Sequence, residues 1–203
     1  AAPDWTFDGD SPSNFGETVA TAGDVDGDGY ADILVGDGDW PNLDAHDGRV
    51  LFFRGTATGP AATPVLTMTG SAGEYLGDSA STAGDIDGDG YADVVIGSPE
   101  GDNGQGPKGV ARAYHGSAGG LLPNAAWDES RGTAGNAFGQ AVAYAGDVDG
   151  DGLSDVIVGA PLRDSGGLVP GAAFVYLGEA DLLGSEPSWT ATDGVPGASK
   201  GAS

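Results

Sequence analysis

The sequence predicts an all-β chain built of repeated four-stranded antiparallel units. Two observations carry this prediction. An acidic stretch, Asp24-Val25-Asp26-Gly27-Asp28-Gly29-Tyr30-Ala31-Asp32, returns as Asp85 to Asp93 and as Asp147 to Asp155, and each copy runs directly into an aliphatic segment, Ile33-Leu34-Val35, Val94-Val95-Ile96 or Val156-Ile157-Val158. The copies start 61 and 62 residues apart and the match extends well beyond the acidic stretch, as in a true internal repeat. β-Branched runs bounded by Gly and Asp are strand signals. No apolar stretch keeps the 3.6-residue period of a helix over a useful length.

Each unit reads in the same order. Phe15-Gly16, Leu76-Gly77 or Phe138-Gly139 comes first, followed by a first strand of small residues such as Glu17-Thr18-Val19-Ala20 or Gln140-Ala141-Val142-Ala143. After the acidic stretch, the aliphatic segment is the second strand, closed by Val35-Gly36-Asp37, Ile96-Gly97-Ser98-Pro99 or Val158-Gly159-Ala160-Pro161. A polar loop then leads to the third strand, at Gly48-Arg49-Val50-Leu51-Phe52-Phe53, Gly109-Val110-Ala111-Arg112-Ala113-Tyr114 or Gly171-Ala172-Ala173-Phe174-Val175-Tyr176. Trp5-Thr6-Phe7, Val65-Leu66-Thr67-Met68, Trp127 and Trp189-Thr190-Ala191 mark fourth strands. Four short antiparallel strands separated by turn signals are the pattern of a β-propeller blade.

The predicted units cover approximately residues 15–70, 76–131 and 138–193, with an extra fourth-type strand near residues 4–8, all in one segment spanning 1–203. Closed propellers have about four to eight blades. Three blades leave sheet edges that must be paired or covered, so the expectation is part of a larger or oligomeric ring, completed by further blades or a second copy.

The acidic stretch has the chemistry of a calcium loop. Ca²⁺ is a hard cation that takes about six to eight oxygen ligands, and carboxylates at alternate positions with a backbone carbonyl supply them from one short segment. The expected ligands are Asp24, Asp26, Asp28, the Tyr30 carbonyl and Asp32; Asp85, Asp87, Asp89, the Tyr91 carbonyl and Asp93; and Asp147, Asp149, Asp151, the Leu153 carbonyl and Asp155. About three ions are expected. Glycine at the sixth position allows the sharp turn around the ion. Two carboxylates about 4 Å apart repel by roughly 4 kcal/mol at an effective dielectric of about 20, so a folded loop calls for a cation. An EF-hand begins with a similar pattern but requires Glu at position 12 and flanking helices; position 12 here is Val35, Ile96 or Val158. Because the aspartates fill most coordination positions, the ion is expected to be structural.

Composition narrows the partners. The net charge of −24 argues against nucleic acid and anionic membrane surfaces, which select for Lys and Arg. No apolar run is long enough to span a membrane as a helix, and with no cysteine there is no disulfide framework and no zinc–thiolate site.

Phe-Gly, then D-x-D-G-D-G-x-x-D, then Gly-Ala-Pro resembles the FG-GAP repeat of the integrin α-subunit β-propeller and its bacterial relatives. The resemblance covers essentially the whole chain. Leu76 departs from it in the second unit, Asp37-Gly38 in the first, and Lys200-Gly201 stands where a fourth Phe-Gly would begin. It implies calcium between the first and second strands and ligand contact on the opposite face, here loops 37–47, 100–108 and 162–170. The function expected is an extracellular or cell-surface adhesion or ligand-binding module for a protein or glycan, without catalysis; the alternatives are a carbohydrate-binding lectin and a non-catalytic accessory domain of a secreted enzyme.

The other chemistry-bearing residues receive plainer readings. His46 and His115 lie outside any G-x-S-x-G or H-E-x-x-H motif and are expected at the surface. Trp5, Trp127 and Trp189 occupy equivalent positions and are expected to pack between blades, whereas Trp40, in a variable loop, is expected as an exposed contact.

Overall fold

The computed structural model describes residues 4–10, 12–104, 106–132, 134–161, 171–180 and 182–192, and among them no helix occurs. Three antiparallel four-stranded sheets follow one another along the chain. The first blade comprises β1 (Thr18–Gly23), β2 (Asp32–Asp37), β3 (Arg49–Phe53) and β4 (Leu66–Thr69) in that spatial order. The second comprises β5 (Ser79–Gly84), β6 (Asp93–Ser98), β7 (Val110–Tyr114) and β8 (Trp127–Glu129). The third comprises β9 (Ala141–Gly146), β10 (Asp155–Ala160), β11 (Ala172–Tyr176) and, after a small hairpin of β12 (Gly178–Glu179) and β13 (Leu182–Leu183), β14 (Trp189–Thr192). These are β-propeller blades, and the array is not closed.

The aliphatic runs become the second strands, and in the second blade that strand is buried on both faces. Successive strand residues point to opposite sides of a sheet. In the second blade Val94 and Ile96 therefore join Leu34, Val50, Phe52 and Met68 of the first blade in one core, while Val95 faces Phe138, Val156, Val158 and Tyr176 of the third in another. In the third blade Val156 and Val158 are buried, but Ile157, on the side where the described residues form no further blade, is only half-buried. An open apolar groove of about 190 Å³ runs along that side, lined by Ala141, Val142, Ala143, Ile157, Gly159 and Ala173.

The spaced glycines mark where neighbouring blades touch. Gly16, Gly77 and Gly139 adopt φ of 87°, 89° and 83°, a left-handed backbone that favours glycine, and each donates its N–H to the carbonyl of Gly36, Gly97 or Gly159 in its own blade at 3.0–3.1 Å. The carbonyls of Gly77 and Gly139 in turn press on Gly36 and Gly97 of the preceding blade, leaving no room there for a Cβ. Thr18 and Ser79 hydroxyls donate across the same junctions to the Asp78 and Gly139 carbonyls at 2.6 and 2.7 Å. Gly159 has no such neighbour among the described residues: a Cβ there would lie 3.4 Å from Ala141 Cβ, in ordinary contact. Gly97→Ala is accordingly expected to destabilise by about 1–3 kcal/mol through overpacking against backbone, and Gly159→Ala by less than about 1 kcal/mol in this chain. Urea melts of the two variants check the contrast.

One expected element is corrected. Residues 5–7 form no strand. The other fourth strands pair with the third strand of their own sheet, and the described residues offer no third strand to this segment. Its side chains still take the inter-blade position. Trp5 meets Phe53 edge-on at 5.2 Å and its Nε1 donates to the Ala61 carbonyl at 3.2 Å, as Trp127 meets Tyr176 at 4.8 Å and donates to the Gly184 carbonyl at 3.3 Å. Trp189, with no further blade among the described residues, is 50% exposed. Trp40 is also corrected: it is half-buried, with the Arg49 guanidinium 5.3 Å from its ring centroid.

Candidate metal centre

The three acidic loops join first to second strands, so antiparallel pairing places them all at one end of the blades, and loop 37–47 with the described residues of loop 100–108 at the other. Loop 162–170 lies outside the described residues. The fourth and sixth loop positions need positive φ and have it: Gly27 and Gly29 at 72° and 90°, Gly88 and Gly90 at 79° and 93°, Gly150 and Gly152 at 81° and 95°.

With the chain so curled, the first aspartate accepts backbone N–H groups from the far side of its own loop. Asp24 Oδ2 accepts Gly29 N–H at 2.9 Å, Asp85 Oδ2 accepts Gly90 at 2.9 Å, and Asp147 Oδ2 accepts Gly152 at 3.0 Å. The aspartates at the third and fifth loop positions accept from the residue two further on: Asp26 from Asp28, Asp28 from Tyr30, Asp87 from Asp89, Asp89 from Tyr91, Asp149 from Asp151 and Asp151 from Leu153. These bonds orient the carboxylates inward. Oxygens of Asp24, Asp26 and Asp28, of Asp85, Asp87 and Asp89, and of Asp147, Asp149 and Asp155 lie within 4.8 Å of one another in each loop.

The ninth-position aspartates have a second task. Asp32, Asp93 and Asp155 are fully buried. Asp32 accepts Val25 N–H at 3.0 Å and Gly55 N–H at 2.7 Å; Asp93 accepts Ile86 and Gly116, each at 2.8 Å; Asp155 accepts Val148 at 2.6 Å and Gly178 at 2.9 Å. Each carboxylate thus ties its loop to the second residue after the third strand. Burial pushes the Asp32 carboxyl up and the Asp93 carboxyl up to about 6, against the lowering effect of those N–H groups. Neighbouring loop aspartates, Asp26 and Asp28 for Asp32 and Asp87 for Asp93, push the same way. Converging carboxylates whose ionised form is opposed by burial and by like charge suit a bound cation, and the all-oxygen donor set suits a hard one.

The loops are also tied to each other. Ala92 N–H donates to the Asp24 carbonyl at 3.0 Å and Ser154 N–H to the Asp85 carbonyl at 2.9 Å. The seventh-position side chains pack on the preceding loop: Tyr91 lies against Gly27, Leu153 against Gly88, and Tyr30, with no preceding loop among the described residues, is exposed. Order in one loop is therefore shared with the next.

His115 departs from the surface role expected of it. Its side chain is 15% exposed, with Nδ1 2.9 Å from Asp87 Oδ2 and 3.5 Å from Asp93 Oδ1. Arg54 stands equivalently in the first blade, Nε 2.5 Å from Asp26 Oδ2. The signal was present in the sequence, since Arg54, His115 and Leu177 each lie thirty residues after the first aspartate of their loops. His46, by contrast, is at the opposite end, stacked on Tyr75 at 4.5 Å with Nδ1 2.7 Å from Asp39 Oδ1.

Comparison with known proteins agrees with this architecture. The model of a family described as FG-GAP-like repeat matches residues 24–96 and again 85–158. Integrin alpha-4 of Xenopus laevis is 34% identical over 159 residues, covering 75% of this chain and 15% of that protein. Integrin alpha-PS2 of Drosophila melanogaster is 34% identical over 174 residues, 82% of this chain and 12% of that protein. Human integrin alpha-IIb is 36% identical over 158 residues, 73% of this chain and 15% of that protein. The chain thus spans between 12% and 15% of the length of these relatives.

Proposed function

Because the chain belongs to the FG-GAP repeat family, we propose that it is an extracellular, calcium-stabilised β-propeller module for adhesion or ligand binding, and that it performs no catalysis itself. The observation that supports this most is the convergence of three carboxylates in each of three loops that are hydrogen-bonded to one another across blade boundaries. Asp24, Asp26, Asp28 and Asp32, with their counterparts in the second and third loops, would hold the ions, each bound Ca²⁺ relieving carboxylate repulsion and stiffening a blade junction. Extracellular modules bind Ca²⁺ at about 10⁻⁴–10⁻³ M, a range that suits exposed loops of this kind.

The ligand would meet the opposite end, where loops 37–47 and 100–108 differ in sequence over a constant frame. The unpartnered sides of the first and third blades would be covered by further blades or by a second copy. Binding to a panel of purified extracellular-matrix proteins and to a glycan array, each in millimolar CaCl₂ and in EDTA, tests the reading. Calcium-dependent retention of a matrix protein is expected. Retention by glycans alone would replace adhesion to protein with a lectin role, and retention by neither would contradict the proposal.

A further inference from the structure

The three loops share a frame but not a neighbour. Immediately after each third strand, thirty residues past the first aspartate of its loop, the three repeats carry residues that differ in kind. Arg54 puts a fixed cation against Asp26, whose side chain is only 4% exposed. Leu177 offers the third loop no polar atom, and Asp149 is exposed. His115 offers the second loop an imidazole nitrogen.

That nitrogen is placed as a ligand atom would be. His115 Nδ1 is buried and, despite lying near two carboxylates, makes no hydrogen bond of acceptable geometry. His115, Asp87 and Asp93 each present an atom within 4.8 Å of the others. Around a tetrahedral Zn²⁺ with bonds of about 2.0–2.1 Å, neighbouring ligand atoms stand about 3.3 Å apart; the observed 2.9 and 3.5 Å separations from Nδ1 lie on either side of that. Both carboxylates are already oriented by backbone, Asp87 by Asp89 N–H and Asp93 by Ile86 and Gly116 N–H. Such support holds ligands in place and raises metal affinity.

We propose that His115, Asp87 and Asp93 form a mixed nitrogen–oxygen site for a first-row transition ion such as Zn²⁺, so that the second loop prefers such an ion to Ca²⁺ while the third remains a calcium loop. Imidazole suits Zn²⁺, Co²⁺ and Ni²⁺, whereas Ca²⁺ takes oxygen ligands. Arg54 supplies the internal contrast, because a guanidinium in the same place can neutralise Asp26 but cannot donate an electron pair to a metal. The proposal rests on the loops' being metal sites, and it adds a difference between them.

Co²⁺ is the probe, since its visible absorption reports ligand type and geometry. The full chain, stripped with EDTA and dialysed, is titrated with CoCl₂ in millimolar CaCl₂, alongside His115→Leu and Leu177→His. One equivalent of Co²⁺ is expected to bind the wild type with a visible band, to be displaced by one equivalent of Zn²⁺, and to bind His115→Leu at least tenfold more weakly. Leu177→His is expected to gain a second equivalent, which keeps the test informative should His115→Leu fold poorly. Equal Co²⁺ affinity in wild type and His115→Leu, or the absence of any calcium-resistant Co²⁺ band in the wild type, would overturn the proposal. Melting curves of the stripped wild type with and without CaCl₂ separate the two readings. Loss of the calcium response with the Co²⁺ site intact defeats the calcium reading and leaves this one standing.

Discussion

Exhaustive chelation is expected to lower the melting temperature of this chain by roughly 15–30 °C. Each ion present at about 100 times its dissociation constant stabilises by roughly 2.7 kcal/mol, and a domain of this size moves by about 2–4 °C per kcal/mol. Three loops place the effect in that range. Repulsion adds to it, because the chain carries a net charge of −24 and removing the ions leaves the clustered aspartates facing one another. The loss should be cooperative, since Ala92 and Ser154 bind the loop before their own and Tyr91 and Leu153 pack on its glycine. Calorimetry before and after EDTA, with CaCl₂ added back, measures it. A melting curve unmoved by EDTA would contradict a structural role for metal.

Asp32→Ala is expected to cost about 2–6 kcal/mol whether or not metal is present, because two buried backbone N–H groups, on Val25 and Gly55, each lose their acceptor at about 1–3 kcal/mol. Asp28→Ala makes the control. Asp28 is exposed and accepts one local N–H, from Tyr30, so its loss should be felt chiefly in calcium and should nearly vanish in EDTA. Urea melts of both variants in the two buffers separate the tie made by the ninth position from the ligand role of the fifth. Equal, metal-dependent losses would mean that Asp32 acts only through the ion.

The blades were legible in the sequence because each second strand is an unbroken aliphatic run beside a glycine-punctuated acidic loop, the run being buried on both faces in the second blade. The glycines at 36, 77, 97 and 139 were legible as repeats, but their cause was not. It lies in backbone meeting backbone across a junction between blades. Residues 5–7 carry the composition of a fourth strand and the packing of one, yet a strand also needs a hydrogen-bonding neighbour, which composition cannot supply. The loop aspartates were readable as a set, whereas the tie from the ninth position to Gly55, Gly116 and Gly178 depends on where the third strand ends in space. His115 shares its place in the repeat with Arg54 and Leu177, but that this place borders the acidic loop is visible only once the blades are folded.

The most direct test is an anomalous difference map from a crystal grown with calcium as the only metal. A peak is expected inside each of the three loops, with aspartate oxygens about 2.3–2.6 Å from it. Loops without peaks, in crystals diffracting well enough to show their carboxylates, would contradict that expectation.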